Sequence, residues 1–208
     1  LSETRFKGHA IALAYDLSLR RAAVFKTYHR HASFLRCADV VDASSATPTF
    51  FPSKAVQIAS HMPEHRFIDG SIVANNPTLC ALAEAKVIWP DEVNALRVLS
   101  IGAGLATSPI DAPKSHYWGS AQWLSRGHLI ELLSDENTVN FQAQQLVERG
   151  CYMRVNSVIQ SQPGLRHPPE TDMHVCSELN IERVMHMGDF WYDRYGEAVI
   201  DFIIGRYQ

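Results

Sequence analysis

The chain has 208 residues, of which 46% are hydrophobic and 20% are charged, and its net charge is −3. These values are ordinary for a globular protein with one full α/β core. Nucleic acid is excluded as the expected partner, because nucleic-acid binders usually carry a basic stripe and this chain has no long run of either charge. Lipid stays open as a partner, since neutral apolar surface can also contact a membrane.

The cysteines indicate a cellular location. Cys37, Cys80, Cys151 and Cys176 lie far apart without a CxxC pair, which is typical of buried, reduced thiols in a cytosolic protein. No apolar run approaches the roughly 20 residues that a spanning helix needs. The first residues do not resemble a signal peptide, but the chain does not open with Met, so its start does not bear on the location. The expected location is therefore the cytoplasm, with membrane association as an open alternative.

In chain order, the first half of the sequence predicts short strands around one helix. Four apolar segments are predicted strands: Ala10–Tyr15, Ala22–Tyr28, Ala55–Ala59 and Arg66–Ile68. The first two are joined by a turn and indicate a hairpin. Phe34–Ala43 has apolar residues at helical spacing and is a predicted helix. The two prolines of Ser44–Pro52 predict an irregular segment.

The second half of the sequence predicts more helix. At Asn75-Asn76-Pro77, Asn76 can cap free N–H groups and Pro77 needs no amide partner, which predicts a helix that runs to about Val87. The remaining predicted elements are strands Val98–Ile101 and Tyr152–Val155, helices Ala121–Leu133 and Glu136–Val147, a loop at Ser157–Met173, and a C-terminal helix with Trp191, Tyr195, Val199 and Phe202 on one stripe. Strands that alternate with helices indicate an α/β fold with a central sheet covered on both faces.

The segment from Phe67 to Pro77 carries the most chemical information. A predicted strand ends in Asp69, and Gly70 permits a tight turn that a side chain would obstruct. A capped helix begins within eight residues, so the carboxylate can point from the sheet edge into a cleft. The local sequence by itself also fits a plain turn aspartate before glycine.

The wider pattern resembles the patatin-like phospholipase family. Asp69-Gly70-Ser71 and the following Val73-Ala74-Asn75-Asn76-Pro77 are similar to the family's Asp-Gly-Gly element and its V-x-N-N-P helix start. Upstream, residues 43–52 resemble its A-S-S-A-x-P-x-x-F-P segment, and downstream, residues 99–104 resemble its L-S-x-G-T-G strand. Each piece is weak alone, but the ordered set is specific.

The resemblance implies a fold and a chemistry. The implied fold is a three-layer α/β/α sandwich, of which residues 1–208 form the C-terminal portion of a single domain. The implied activity is phospholipase A-type hydrolysis of lipid esters by a Ser–Asp dyad, in which a serine in G-x-S-x-G attacks and Asp69 accepts its proton. No cofactor and no catalytic calcium are implied. The implied partners are a phospholipid or other lipid ester and, transiently, a membrane surface.

Two features of the family pattern are absent from this chain, and their absence limits what the resemblance implies. G-x-S-x-G and Gly-Gly do not occur in the 208 residues, so the serine and the Gly-rich oxyanion loop are expected from an upstream segment of the same protein. Ser44, Ser45 and Ser71 lie near the motif, but none is on a Gly-flanked nucleophile elbow. The chain alone is therefore expected to be inactive. The alternative is a catalytically inactive patatin-fold scaffold or binding module, and a small-molecule-binding α/β domain is a third class.

Two other patterns are weaker. The histidine clusters His29-Arg30-His31 and His61 to His65 have no evident third metal ligand, so surface or loop histidines are the preferred interpretation. Gly102-Ala103-Gly104 suggests a nucleotide loop, but Thr107 stands where G-x-G-x-x-G needs its third glycine.

Overall fold

The computed structural model describes residues 8–29, 34–106, 110, 112–125, 135–172 and 174–206. The chain divides into two compact units. The first contains residues 1–81 and 123–138, and the second contains residues 82–122 and 139–208. Sheets and helices occur together along the chain, so the predicted α/β class is confirmed.

The first unit is built on a four-stranded antiparallel sheet with the order β2-β1-β4-β3. Its strands are β1 (Ile11–Asp16), β2 (Arg21–Lys26), β3 (Lys54–Gln57) and β4 (Glu64–Asp69). All four confirm predicted strands, and β1 and β2 form the predicted hairpin. The register sets Ala14 of β1 opposite Ala23 on one side and opposite Asp69 on the other.

Helix α1 (Cys37–Ser44) covers one face of this sheet. Because side chains alternate along a strand, Phe67 and Asp69 project from the same face of β4. Phe67 is fully buried there, with its ring 5.3 Å from the ring of Phe25. The core around them also contains Ala14, Leu35, Val40, Ala43 and Val56. Asp69 is therefore the last residue of a strand that is anchored in the core through Phe67.

Lys54 links the start of β3 to α1. Its ammonium group lies 3.0 Å from a carboxylate oxygen of Asp39 and 2.8 Å from one of Asp42. The hydrogen bond from Lys54 lowers the pKa of the Asp39 carboxyl, and the hydrogen bond to Asp42 raises the pKa of Lys54. These side chains are solvent-accessible, and such pairs contribute little stability.

A buried polar pair lies at the other end of β4. The His65 Nδ1 and Asp16 Oδ2 atoms are 2.7 Å apart, and both residues are buried. The Asp16 Oδ1 atom accepts the backbone N–H groups of Ser18 and Leu19 at 2.8 and 3.0 Å, which shapes the β1–β2 turn. The interpretation of the clustered histidines as surface or loop residues is therefore wrong for His65. It lies on the same face of β4 as Phe67, two residues away.

The second unit has a parallel two-stranded sheet of β5 (Val98–Ile101) and β6 (Tyr152–Val155), both as predicted. Beyond β5, the Asn156 Oδ1 atom accepts the N–H groups of Gly104 and Ser157, each at 3.0 Å, and fixes the turn.

The helices that follow α1 in the described residues are α2 (Ser71–Ala74), α3 (Thr78–Ile88), a 3₁₀ helix (Pro90–Ala95), α4 (Ala112–Ser115), α5 (Ser120–Ser125), α6 (Asn137–Leu146) and α7 (Glu178–Ile203).

Several sequence predictions need qualification in this half. The C-terminal helix α7 begins at Glu178, earlier than its apolar stripe, with the Ser177 hydroxyl accepting the Asn180 N–H. The predicted helix Ala121–Leu133 matches α5 at its start, and its later residues lie outside the described part. The predicted loop after β6 is irregular, yet Leu165 within it is fully buried.

The four cysteines are all in the described part and form no disulfide. Cys37 and Cys176 are exposed, and Cys80 and Cys151 are half-buried. The prediction of buried thiols is therefore wrong. No helix in the described ranges is both long enough and apolar enough to cross a membrane.

Candidate active site

Asp69 is the last residue of β4, and the segment after α1 is bonded to that strand end. The Asp69 N–H donates to the Ala46 carbonyl at 3.1 Å, and the Gly70 N–H donates to the Ser44 carbonyl at 3.1 Å. These two bonds bring the irregular 44–52 segment against the strand end that carries the aspartate. Thr47 and Asp69 are 22 residues apart in the sequence, and the structure brings them into contact.

The Asp69 carboxylate is half-buried and has a hydrogen-bond donor on each oxygen. Its Oδ1 atom accepts the backbone N–H of Ser71 at 2.7 Å. Its Oδ2 atom accepts the side-chain hydroxyl of Thr47. A carboxylate offers about four lone-pair positions, so these two donors orient the group and leave room for a further proton donor.

Thr47 is itself held by the local turn. Its N–H donates to the Ser45 carbonyl at 2.9 Å, and its own carbonyl accepts the N–H groups of Phe50 and Phe51 at 3.1 and 2.9 Å. The Ser45 hydroxyl donates to the Val41 carbonyl at 2.8 Å, which ties the turn to the end of α1. The segment predicted as irregular is thus a compact, internally bonded turn.

Gly70 is required for a reason that the sequence did not show. Its backbone, at φ −70° and ψ −19°, is in a region open to any residue. A Cβ at this position, however, would lie 2.2 Å from the Leu13 carbonyl oxygen on β1. The glycine is needed for the close approach of two backbones rather than for an unusual turn.

Gly70→Ala is accordingly expected to destabilise the intact protein by about 3 kcal/mol, at the upper end of overpacking costs, because the clashing atom belongs to the backbone. Urea denaturation measures the change. Gly188→Ala is a matched control, since a Cβ there would meet nothing within 4 Å and alanine favours a helix. A loss below about 1 kcal/mol at Gly70 would contradict the close approach.

The asparagines of the motif behave as helix-start residues. The buried Asn76 accepts the Thr78 N–H through Oδ1 at 3.1 Å, which confirms the capping prediction. The Asn75 side-chain amide donates to Glu136 Oε1 at 3.3 Å. Neither contact involves the Asp69 carboxylate.

The serines near the motif have structural contacts. Ser44 contributes its carbonyl to Gly70, Ser45 donates its hydroxyl to α1, and Ser71 donates its backbone N–H to Asp69. The hydroxyl that does reach Asp69 belongs to Thr47, which the sequence did not single out because it occupies the variable position of A-x-P. Among the described residues, no group of three or more His, Cys, Asp or Glu side chains could hold a metal ion.

The fold and site define an α/β protein with a strand-end aspartate held beside a proline-containing turn. Comparison with known proteins shows what the chain is similar to. Patatin-like protein 1 of Oryza sativa subsp. indica is 25% identical over 222 aligned positions, 91% of this chain and 52% of the relative. A cUMP-AMP-activated phospholipase of Escherichia coli is 27% identical over 147 positions, 71% of this chain and 43% of the relative.

A third relative is the calcium-independent phospholipase A2-gamma of Mus musculus, 32% identical over 119 positions, 57% of this chain and 14% of the relative. No protein-family model matches the chain. Matches to patatin-like proteins and a phospholipase at 22–27% identity over 71–93% of the chain support the predicted resemblance to the patatin-like family. It spans about half the length of the curated relatives that it matches over most of its own length.

Proposed function

We propose that the whole protein is a lipid acyl hydrolase that cleaves carboxylic ester bonds of phospholipids or other lipid esters through a Ser–Asp dyad. The observation that carries the proposal is the Asp69 carboxylate, half-buried at the end of β4 with one donor on each oxygen. The names of two relatives, both phospholipases, support the substrate class.

In this proposal Asp69 is the general base. The serine hydroxyl attacks the ester carbonyl while its proton passes to Asp69, and the alcohol leaves with that proton to give an acyl-serine. Water then attacks the acyl group, Asp69 takes the water proton, and the fatty acid and free serine are released. Because a carboxylate is a weak base for a hydroxyl, backbone donors to the oxyanion must supply much of the barrier reduction.

The serine and the oxyanion loop come from an upstream segment of the same protein in this proposal. G-x-S-x-G and Gly-Gly are absent from the 208 residues, and relatives matched over most of the chain are about twice as long. Residues 1–208 are then the C-terminal portion of one patatin-like domain. We place the protein in the cytoplasm with transient contact to a membrane surface, and with no cofactor in the reaction.

The rival is a catalytically inactive patatin-fold scaffold, which the missing nucleophile also fits. The sequence that precedes Leu1 in the gene distinguishes the two. A G-x-S-x-G in that sequence supports the hydrolase, and its absence supports the scaffold.

Residues 1–208 alone are expected to remain unlabelled by a fluorophosphonate probe and inactive on a short p-nitrophenyl ester, since an activated serine is lacking. The intact protein, treated in parallel, is expected to be labelled stoichiometrically on the upstream serine. Circular dichroism checks that the shorter chain is folded. Stoichiometric labelling of residues 1–208, mapped to one hydroxyl by peptide mass, would show that the nucleophile lies within them.

A further inference from the structure

We propose that Thr47 is a positioning residue whose side-chain hydroxyl orients the carboxylate of Asp69 for proton transfer. The inference rests on the proposed function, in which Asp69 is the base. It adds a residue at the variable position of the A-S-S-A-x-P segment. The inference therefore concerns the threonine that this chain has at that position.

The two donors to Asp69 differ in kind. Ser71 donates through its backbone N–H to Oδ1 at 2.7 Å, and that donor persists for any side chain except proline. Thr47 donates through its hydroxyl to Oδ2. The part of the carboxylate's orientation that depends on side-chain identity therefore comes from Thr47.

The Thr47 hydroxyl is well suited to this role because its own position is fixed. Three backbone hydrogen bonds, to Ser45 and from Phe50 and Phe51, fix its peptide groups. A β-branched side chain is stiff at χ1, so the hydroxyl has few alternative directions. Residues 45 to 47 thus connect the end of α1 to one oxygen of the base.

Such a donor acts through geometry. The hydrogen bond from Thr47 holds the remaining lone pairs of Asp69 in one direction, and proton transfer depends on that geometry. Loss of the hydroxyl should therefore lower kcat.

Thr47 could instead be read as a nucleophile, since its hydroxyl already contacts the aspartate. Its neighbours, Ala46 and Pro48, do not make the Gly-flanked strand-to-helix turn that exposes a nucleophilic oxygen. Its hydroxyl is also on a branched carbon, and Thr47 is half-buried. These features favour the positioning role, and labelling separates the two.

The test uses the intact protein with phospholipid vesicles and compares Thr47→Val, which keeps the shape without the hydroxyl, with Thr47→Ser, which keeps the hydroxyl. Thr47→Val is expected to lower kcat on the order of 10- to 100-fold and to change KM little. Thr47→Ser is expected to restore most of kcat. Thr49→Val, which makes the same substitution at an exposed threonine of the same segment, is expected to retain wild-type kcat.

Several results would overturn the role of Thr47. One is wild-type kcat in Thr47→Val while Asp69→Asn is inactive, which leaves the proposed function standing. Another is an equal loss in Thr47→Val and Thr47→Ser, because the hydroxyl would then not be what matters. Fluorophosphonate labelling of Thr47 would make it the nucleophile. If Thr47→Val does not fold in a thermal melt, Thr47→Ala takes its place. Full activity of Asp69→Asn would instead remove the proposed function itself.

Discussion

Asp69→Asn is expected to lower kcat of the intact protein by at least about 10⁴-fold. Loss of the carboxylate that merely assists the base in a Ser-His-Asp triad costs about that much, and in the proposed dyad the carboxylate is itself the base. The loss corresponds to roughly 5 kcal/mol of transition-state stabilisation. Lipid binding should change little, because Asp69 acts on the serine proton and not on the acyl chain.

The fold is expected to tolerate this change. An asparagine at position 69 keeps an oxygen that can accept the Ser71 N–H, now 2.7 Å from Oδ1. Its amide nitrogen would face Thr47, whose hydroxyl can rotate and become an acceptor. Asparagine also suits a turn before glycine. The loss of rate should therefore come without a loss of stability.

The measurement is kcat on phospholipid vesicles together with a thermal melt of each protein. Asp42→Asn is a matched control, because Asp42 is an exposed carboxylate that contacts Lys54. It should retain wild-type kcat. Activity of Asp69→Asn within tenfold of wild type, with an unchanged melt, would remove Asp69 from the mechanism and leave a turn aspartate.

The strands and the aspartate position could be predicted because each depends on local signals. Short apolar segments marked β1 to β4, and the Asp-Gly step marked the end of β4. The same reasoning placed the start of α3, because Asn76 and Pro77 are helix-start residues wherever they occur.

Contacts between distant segments could not be predicted in the same way. The Thr47 hydroxyl meets Asp69 only because the turn after α1 is bonded to the end of β4. The clash that excludes a side chain at Gly70 comes from Leu13, on a neighbouring strand. The buried position of His65 depends on its contact with Asp16, which is 49 residues away in the sequence. In each case the deciding group is set by strand order and register, which local patterns leave open.

Asp16→Ala is expected to lower the free energy of unfolding by about 3 kcal/mol, because removal of one partner leaves a buried polar group unpaired. His65 would lose the carboxylate now 2.7 Å from its Nδ1. The N–H groups of Ser18 and Leu19 would lose their acceptor in the turn. Urea denaturation of the intact protein measures the change.

Two further variants test whether this loss of stability comes from the Asp16–His65 pair. Asp16→Asn keeps an acceptor for the turn N–H groups and should cost clearly less than the alanine. Asp39→Ala removes a carboxylate from a solvent-accessible pair with Lys54 and should cost about 1 kcal/mol or less. If Asp16→Ala and Asp39→Ala cost the same, the Asp16–His65 pair does not support the sheet as we infer. The Asp16→Ala protein that remains folded should keep its kcat within a few-fold of wild type. The Asp16–His65 pair lies at the end of β4 that is farther from Asp69. A change at Asp16 is therefore expected to lower the stability of the protein and leave kcat nearly unchanged. A change at Asp69 is expected to lower kcat and leave the stability nearly unchanged.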